Sequence, residues 1–168
     1  MIGLPTNGEH SHFFTQSVLG IQYPTNVSLE YWAVEDRPVD EARNILVQKA
    51  IEINAEYLMF MDEDVIAPNN GIRTLLFHLE NHPNWTVCGG VYASKTHPPE
   101  PLIYMDWGLG AHYGWKRGEM LRVKGTGCGY HMYRVADLKD MDAPETHEVI
   151  NPWTKEPLTV RRYFYTGD

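Results

Sequence analysis

Three acids, Asp62, Glu63 and Asp64, close an apolar run, Tyr57 to Met61, that is too short for a helix and has no polar interruption. Such a run reads as a strand buried on both faces. Asp62 and Asp64 lie two apart, so in extended chain their carboxylates would project to one side with Glu63 turned opposite. That spacing suits a hard divalent cation. Mg²⁺ and Mn²⁺ prefer oxygen ligands, and Mg²⁺ typically takes one or two carboxylates, filling its shell with water and substrate phosphate. An acidic, solvated turn would use the same residues without chemistry; the apolar strand in front favours the metal.

A complementary cation precedes them. Pro38 and Asp40 open a helical pattern in which Ala42, Ile45, Leu46, Ala50 and Ile53 recur on one face, with Asp40 or a neighbour as the N-terminal cap. In a strand, helix, strand unit the helix starts at the carboxyl edge of the sheet, where the next strand also ends. Arg43 and Asn44, expected in the first turn, would therefore meet Asp62 and Asp64 on one rim. Arg43 offers a planar fork for phosphate or a base carbonyl; pairing with Glu41 or Asp40 is the plainer alternative. Other candidates have less support. His10 and His12 alternate in a polar loop without a third ligand, and Lys95, beside HPPEP, either reaches a phosphate or is solvated.

The elements that must position this rim follow from periodicity and punctuation. Ile2 to Leu4 reads as a first strand closed by Pro5, Phe13 to Ile21 as a helical segment ending at Gly20, and Ser28 to Val34 as a second strand. After Pro68, the stretch Gly71 to Pro83 reads as an amphipathic helix with Ile72, Leu75, Leu76 and Leu79 on its core face. Trp85 to Ala93 is expected to be a buried strand whose Gly89 and Gly90 permit close backbone approach or mark a bulge. This alternation argues for an α/β sandwich with a largely parallel sheet.

From Pro101 to Arg134 glycines and aromatics alternate. Tyr104, Trp107, Tyr113 and Trp115 would stack on a sugar ring or nucleobase if the segment is a lid, or cover a sheet edge if it is a twisted hairpin. Gly125, Thr126, Gly127 and Gly129 then precede an amphipathic strand; the stretch lacks the Lys-Ser or Lys-Thr of a phosphate-binding P-loop and opens no long helix.

Composition bounds the function. The chain has 168 residues, 43% hydrophobic and 12% aromatic, which fits one folded domain. A net charge of −8 opposes general attraction to nucleic acid or anionic lipid, so an anionic substrate would need a local cation or a metal. Cys88 and Cys128 are too few for a disulfide scaffold. With no signal peptide and no apolar run long enough for a bilayer, a cytoplasmic, soluble protein is expected.

The ordered set Ala42-Arg43-Asn44, the strand ending in Asp62-Glu63-Asp64, the Gly-Gly-Val-Tyr stretch around Val91, Gly125-Thr126-Gly127-Cys128-Gly129 and the terminal Tyr165-Thr166-Gly167-Asp168 resembles GT-A glycosyltransferases. The likeness is to the short, family-two-like enzymes of phages and bacteria, and it spans nearly the whole chain. It implies a single domain over 1–168, a nucleotide-binding half at 1–100 and an acceptor-side half at 101–168, with a mainly parallel sheet flanked by helices and a smaller β-hairpin region. It also implies a nucleotide-diphosphate sugar as donor and an unspecified glycan, lipid or protein acceptor, without nucleic acid. By the same resemblance Asp62 and Asp64 would hold Mn²⁺ or Mg²⁺, Asp64 as the principal ligand. Pro5, Arg43, Asp62, Glu63, Gly125, Thr126 and Gly127 would contact the nucleotide sugar, and Asp168 would be the catalytic base of an inverting transfer. Gly167 stands where the family carries an acid and the chain stops at Asp168, so a fragment or an inactive remnant is expected. A strand over Thr159 to Tyr165 would pair beside the one from Gly125 and carry Asp168 to the cleft. Two other classes use some of these residues: a non-catalytic sugar-nucleotide or carbohydrate-binding module, and a haloacid-dehalogenase-like phosphatase with an Asp-x-Asp motif. Position disfavours the phosphatase, since about sixty residues precede the motif and Val65-Ile66 follow it, and not the Gly-Thr of that class.

Overall fold

The computed structural model describes residues 1–142 and 145–164. Five strands form the central sheet: β1 (Ile2–Thr6), β2 (Tyr31–Glu35), β3 (Tyr57–Met61), β4 (Val87–Gly89) and, placed later in the chain, β7 (Tyr130–Arg134). Their order is β2-β1-β3-β7-β4. β1 runs parallel to both β2 and β3, while β7 lies antiparallel between β3 and β4. The fold is thus mixed α/β around a mostly parallel sheet.

Side chains on the central strands alternate between two buried layers, as the twofold repeat of a strand requires. Met59, Met61, Tyr130 and Met132 join the core beneath α1 (His12–Leu19) and α3 (Gly71–Asn81). Leu58, Phe60 and Tyr133 join the opposite one beneath α2 (Val39–Glu52) and α4 (Val135–Asp140). Leu58, Phe60 and Met61 are fully buried, each stabilising the fold by about 1.5–3 kcal/mol relative to exposure. With cores on both faces β3 has no polar face, and the same burial makes β7 a central strand and not the amphipathic one expected.

Two short hairpins complete the chain. β5 (Ile103–Tyr104) pairs with β6 (Gly125–Thr126), so the glycine- and aromatic-rich segment leaves and returns at one antiparallel root. β8 (Thr146–Ile150) pairs with β9 (Pro157–Arg161). This overturns the expected pairing of Thr159–Tyr165 beside the strand from Gly125. The five register pairs between β8 and β9 form locally, across a Pro152–Glu156 turn, before any distant edge is needed. Asp168 and the other residues of the terminal Tyr165-Thr166-Gly167-Asp168 lie outside the described residues.

Three smaller expectations also change. Pro5 sits within β1, opposite Val34, because pairing with β3 ends at Gly3 and the proline falls beyond that ladder. The Trp85–Ala93 strand shrinks to the three residues of β4 at the sheet edge, partly exposed, because β7 takes the buried place beside β3. The N-cap of α2 is Pro38, with no side-chain cap bond, so Arg43 is the helix's fifth residue and lies past its first turn.

Candidate functional site

The site grows from the end of β3. The Asp62 N–H donates to Gly129 O at 2.8 Å, extending the β3–β7 pairing by one residue, and the chain then turns, with Val65 N–H donating back to Asp62 O at 3.0 Å. The turn breaks the extended geometry that would have aligned Asp62 and Asp64, and each acid finds a different partner. Arg43 Nη2 donates to Asp62 Oδ1 and Oδ2 at 3.0 and 2.9 Å. Glu63 accepts from the Thr6 hydroxyl, and from Asn7 N–H at 3.3 Å. Asp64 pairs with Lys95 Nζ at 2.7 Å.

These contacts differ in environment. The side chains of Arg43 and Asp62 are 12% and 25% exposed. Burial pushes the Asp62 carboxyl above its usual range, and the Arg43 charge and hydrogen bonds oppose that shift. Lys95 and Asp64 are 81% and 45% exposed, so theirs is a solvent-screened pair of small strength. Asp64 therefore holds its cation loosely and Asp62 firmly.

Pro5, Thr6 and Asn7 at the end of β1, the Asp36-Arg37-Pro38 turn leading into α2, and Asp62, Glu63 and Asp64 line a cleft of about 400 Å³. It lies at the carboxyl ends of parallel strands, where open α/β sheets receive ligands. Asp36 takes a left-handed φ of 54° there, a conformation that Asp tolerates better than most residues. Arg43 packs behind Asp62, its guanidinium carbon 5.9 Å from the Phe60 ring centre, and is not among the residues that line the cleft.

Gly125, Thr126 and Gly127 lie elsewhere. The first two form β6, and a Cβ on Gly127 would fall 2.4 Å from the Tyr92 hydroxyl. A Cβ on Gly129 would fall 2.8 Å from both Asp62 Oδ2 and that hydroxyl. Tyr92 in turn accepts from Gly129 N–H at 2.6 Å, and burial raises its phenol above the usual range, with Asp62 adding to the shift. The glycine-rich stretch thus makes room for Tyr92 against the back of Asp62. In the sequence Tyr92 stands out only as the end of the Gly-Gly-Val-Tyr stretch, with no role of its own.

Asn44, expected on the rim beside Arg43, is instead buried, 1% exposed. Its Oδ1 accepts from Tyr163 N–H and Phe164 N–H at 2.8 and 2.9 Å, and its Nδ2 donates to Phe164 O at 2.8 Å. This amide clasps the segment that follows β9 to α2, one residue from Arg43. His10 and His12 make ring contacts with Phe14 and Phe13. Among the described residues no group of three His, Cys, Asp or Glu is arranged to hold a metal ion. A cation that takes one or two carboxylates and completes its shell on phosphate and water needs no such group, and Asp64, with its exposed and displaceable partner, fits that mode.

No protein-family model matches the chain, and no curated protein matches it in sequence. Among solved structures, A197 from STIV is similar in fold, with a TM-score of 0.62 and 20% identity over 85% of this chain and 68% of that one. CMP:2-keto-3-deoxy-manno-octonic acid synthetase, solved with CTP, gives a TM-score of 0.49 and 17% identity over 86% of this chain and 78% of that one. The first likeness shows the α/β fold alone. No helix among the described residues is long and apolar enough to cross a membrane.

Proposed function

We propose that this chain transfers a sugar from a nucleotide-diphosphate donor to an acceptor hydroxyl, with Asp64 as the main ligand of Mg²⁺ or Mn²⁺. The observation that carries the reading is the convergence of Asp62, Glu63 and Asp64 with Pro5 and Thr6 on one cleft at the carboxyl ends of β1 and β3. Arg43 holds Asp62 by two hydrogen bonds and favours its ionised form against burial. Thr6 and Asn7 orient Glu63. Lys95, once released from Asp64, supplies a mobile positive charge to a phosphate oxygen. A bound divalent cation would neutralise charge gathering on the leaving diphosphate. For inversion, a carboxylate must take the acceptor's proton on the opposite side, and Asp168, outside the described residues, is the one we assign.

The test is product analysis with a panel of nucleotide sugars, with and without Mn²⁺. Metal-dependent release of nucleoside diphosphate supports the proposal, binding without release supports a non-catalytic module, and release of inorganic phosphate supports a phosphatase. Asp64→Asn should abolish metal-dependent binding of nucleoside diphosphate by calorimetry. Because that side chain is 45% exposed, its replacement should change unfolding stability by no more than about 0.5 kcal/mol. Unchanged calorimetric binding in the variant would refute the metal assignment.

A further inference from the structure

The segment between β5 and β6 lies outside the acidic cleft. Residues 105–124 contain four of the chain's 14 lysines and arginines but two of its 22 acids, so they carry +2 against −10 for the remainder. The backbone folds them into two lobes on one root. His112 N–H donates to Ile103 O at 2.8 Å, returning the middle of the segment to the hairpin, and Lys124 N–H donates to Tyr104 O at 2.9 Å.

The first lobe ends in Trp107-Gly108-Leu109-Gly110. Both glycines have left-handed φ values, 81° and 72°, which only glycine adopts without strain. Leu109, between them, is 74% exposed, and Trp107, whose ring edge reaches back to Gly125, is 76% exposed. The second lobe exposes Tyr113, Trp115 and Met120 beside Lys116 and Arg117, and Arg122 and Lys124 are exposed on the way back to the root. Large apolar side chains left in water on a soluble domain mark an interaction surface, and the charge of this one selects an anionic partner.

We propose that the 105–124 segment docks on an anionic lipid bilayer, Trp107 and Leu109 entering the headgroup and acyl boundary while Lys116, Arg117, Arg122 and Lys124 meet the lipid phosphates. Tryptophan and tyrosine favour that boundary, with one end of the ring apolar and the other wet. Basic residues near the surface add electrostatic attraction to anionic lipid, and an apolar anchor combined with a basic patch gives the two signals that stable peripheral binding needs. Nucleic acid would use the cations and the rings but has no use for an aliphatic tip, and Leu109 and Met120 therefore favour the bilayer. The inference stands apart from the sugar-transfer reading, since neither lobe lines the acidic cleft.

The experiment is vesicle flotation of the full chain, with tryptophan emission as a second readout. The protein should float with phosphatidylcholine vesicles containing phosphatidylglycerol, shift its emission to the blue, and stay in solution with phosphatidylcholine alone. W107A/L109A should weaken partition by about tenfold or more, with thermal unfolding unchanged because both side chains are exposed. K116E/R117E should abolish the preference for anionic vesicles, and added salt should weaken wild-type binding. Absence of flotation overturns the proposal. So does flotation that both variants retain in full, or binding of a single-stranded oligonucleotide through these residues without vesicle binding.

Discussion

Replacing Arg43 by Met tests how the rim is held. Methionine keeps most of the packing over Phe60 and removes both contacts to Asp62, at 3.0 and 2.9 Å. A charge-assisted hydrogen bond contributes about 1.5–3 kcal/mol, and stranding a fully buried charge costs about 3–5. With Asp62 still 25% exposed, the loss at pH 7 should fall near the lower figure, about 2 kcal/mol. Its pH dependence is the sharper test. The folded Asp62 carboxyl already titrates above its ordinary value of 3.8 because of burial, with Arg43 opposing. A raised folded value means that this group's contribution is full below the unfolded value and is lost as pH rises through the folded one. Removing Arg43 raises that value further, so the variant should lose more at pH 7 than at pH 4.5. Arg43 also helps to keep His131 neutral, and relieving that effect acts in the same direction. R43M/D62N separates the two contributions, since it leaves no carboxylate stranded. The double variant should be more stable at pH 7 than R43M alone. Urea unfolding at several pH values provides the measurement. A loss under about 0.5 kcal/mol, or one independent of pH, would show that Arg43 does not hold Asp62 in solution.

Asn44→Ala removes three hydrogen bonds from a buried amide and should cost about 2–4 kcal/mol in urea unfolding, with faster proteolysis near Tyr163; a loss within about 0.5 kcal/mol would refute the clasp. Burial holds the His131 imidazole well below 6.5, at about 4. A folded value below the unfolded one means that stability is present above pH 6.5 and is lost as pH falls towards 4, by on the order of 3 kcal/mol. His131→Gln should flatten the stability profile across that window, and an unchanged slope would assign the acid sensitivity elsewhere.

The parts of this molecule legible in its sequence are those decided by local pattern. An uninterrupted apolar run gave β3, helical spacing gave α2 and α3, and chain order brought Arg43 and Asp62 to one rim. Long-range pairing was not legible. Nothing in Tyr130–Arg134 says that it will lie between β3 and β4 and displace Trp85–Ala93 to an edge, because an antiparallel insertion and a parallel neighbour bury the same side chains. The sequence leaves Arg43 between a phosphate and a pairing with Glu41 or Asp40, because its helical position gives its neighbourhood and not its partner. Asp62 and Asp64 were read as a matched pair on extended chain, and the turn after Asp62 separates them. Tyr92 belongs to a recognised motif without a role, because its role depends on the close approach that Gly127 and Gly129 allow its hydroxyl.

Charge at the rim gives the proposed chemistry its order of events. Asp62, Glu63 and Asp64 carry three negative charges, while Arg43 and Lys95 pair with two of them. The cleft is therefore negative before any ligand arrives, and a diphosphate approaching Asp64 within about 4 Å would meet repulsion of roughly 4 kcal/mol per charge pair at the effective dielectric of a protein surface. Moving Lys95 from Asp64 to the phosphate leaves the total unchanged. On the proposed reading an added divalent cation would make the rim attractive, and Asp64 is where it would displace the least, since the Lys95 pair is screened by solvent while the Arg43 pair is more buried. On the proposed reading the two aspartates divide their work accordingly: Asp62, held by Arg43 and by its N–H to Gly129 O, is scaffold for the rim, and Asp64 is the exchangeable ligand.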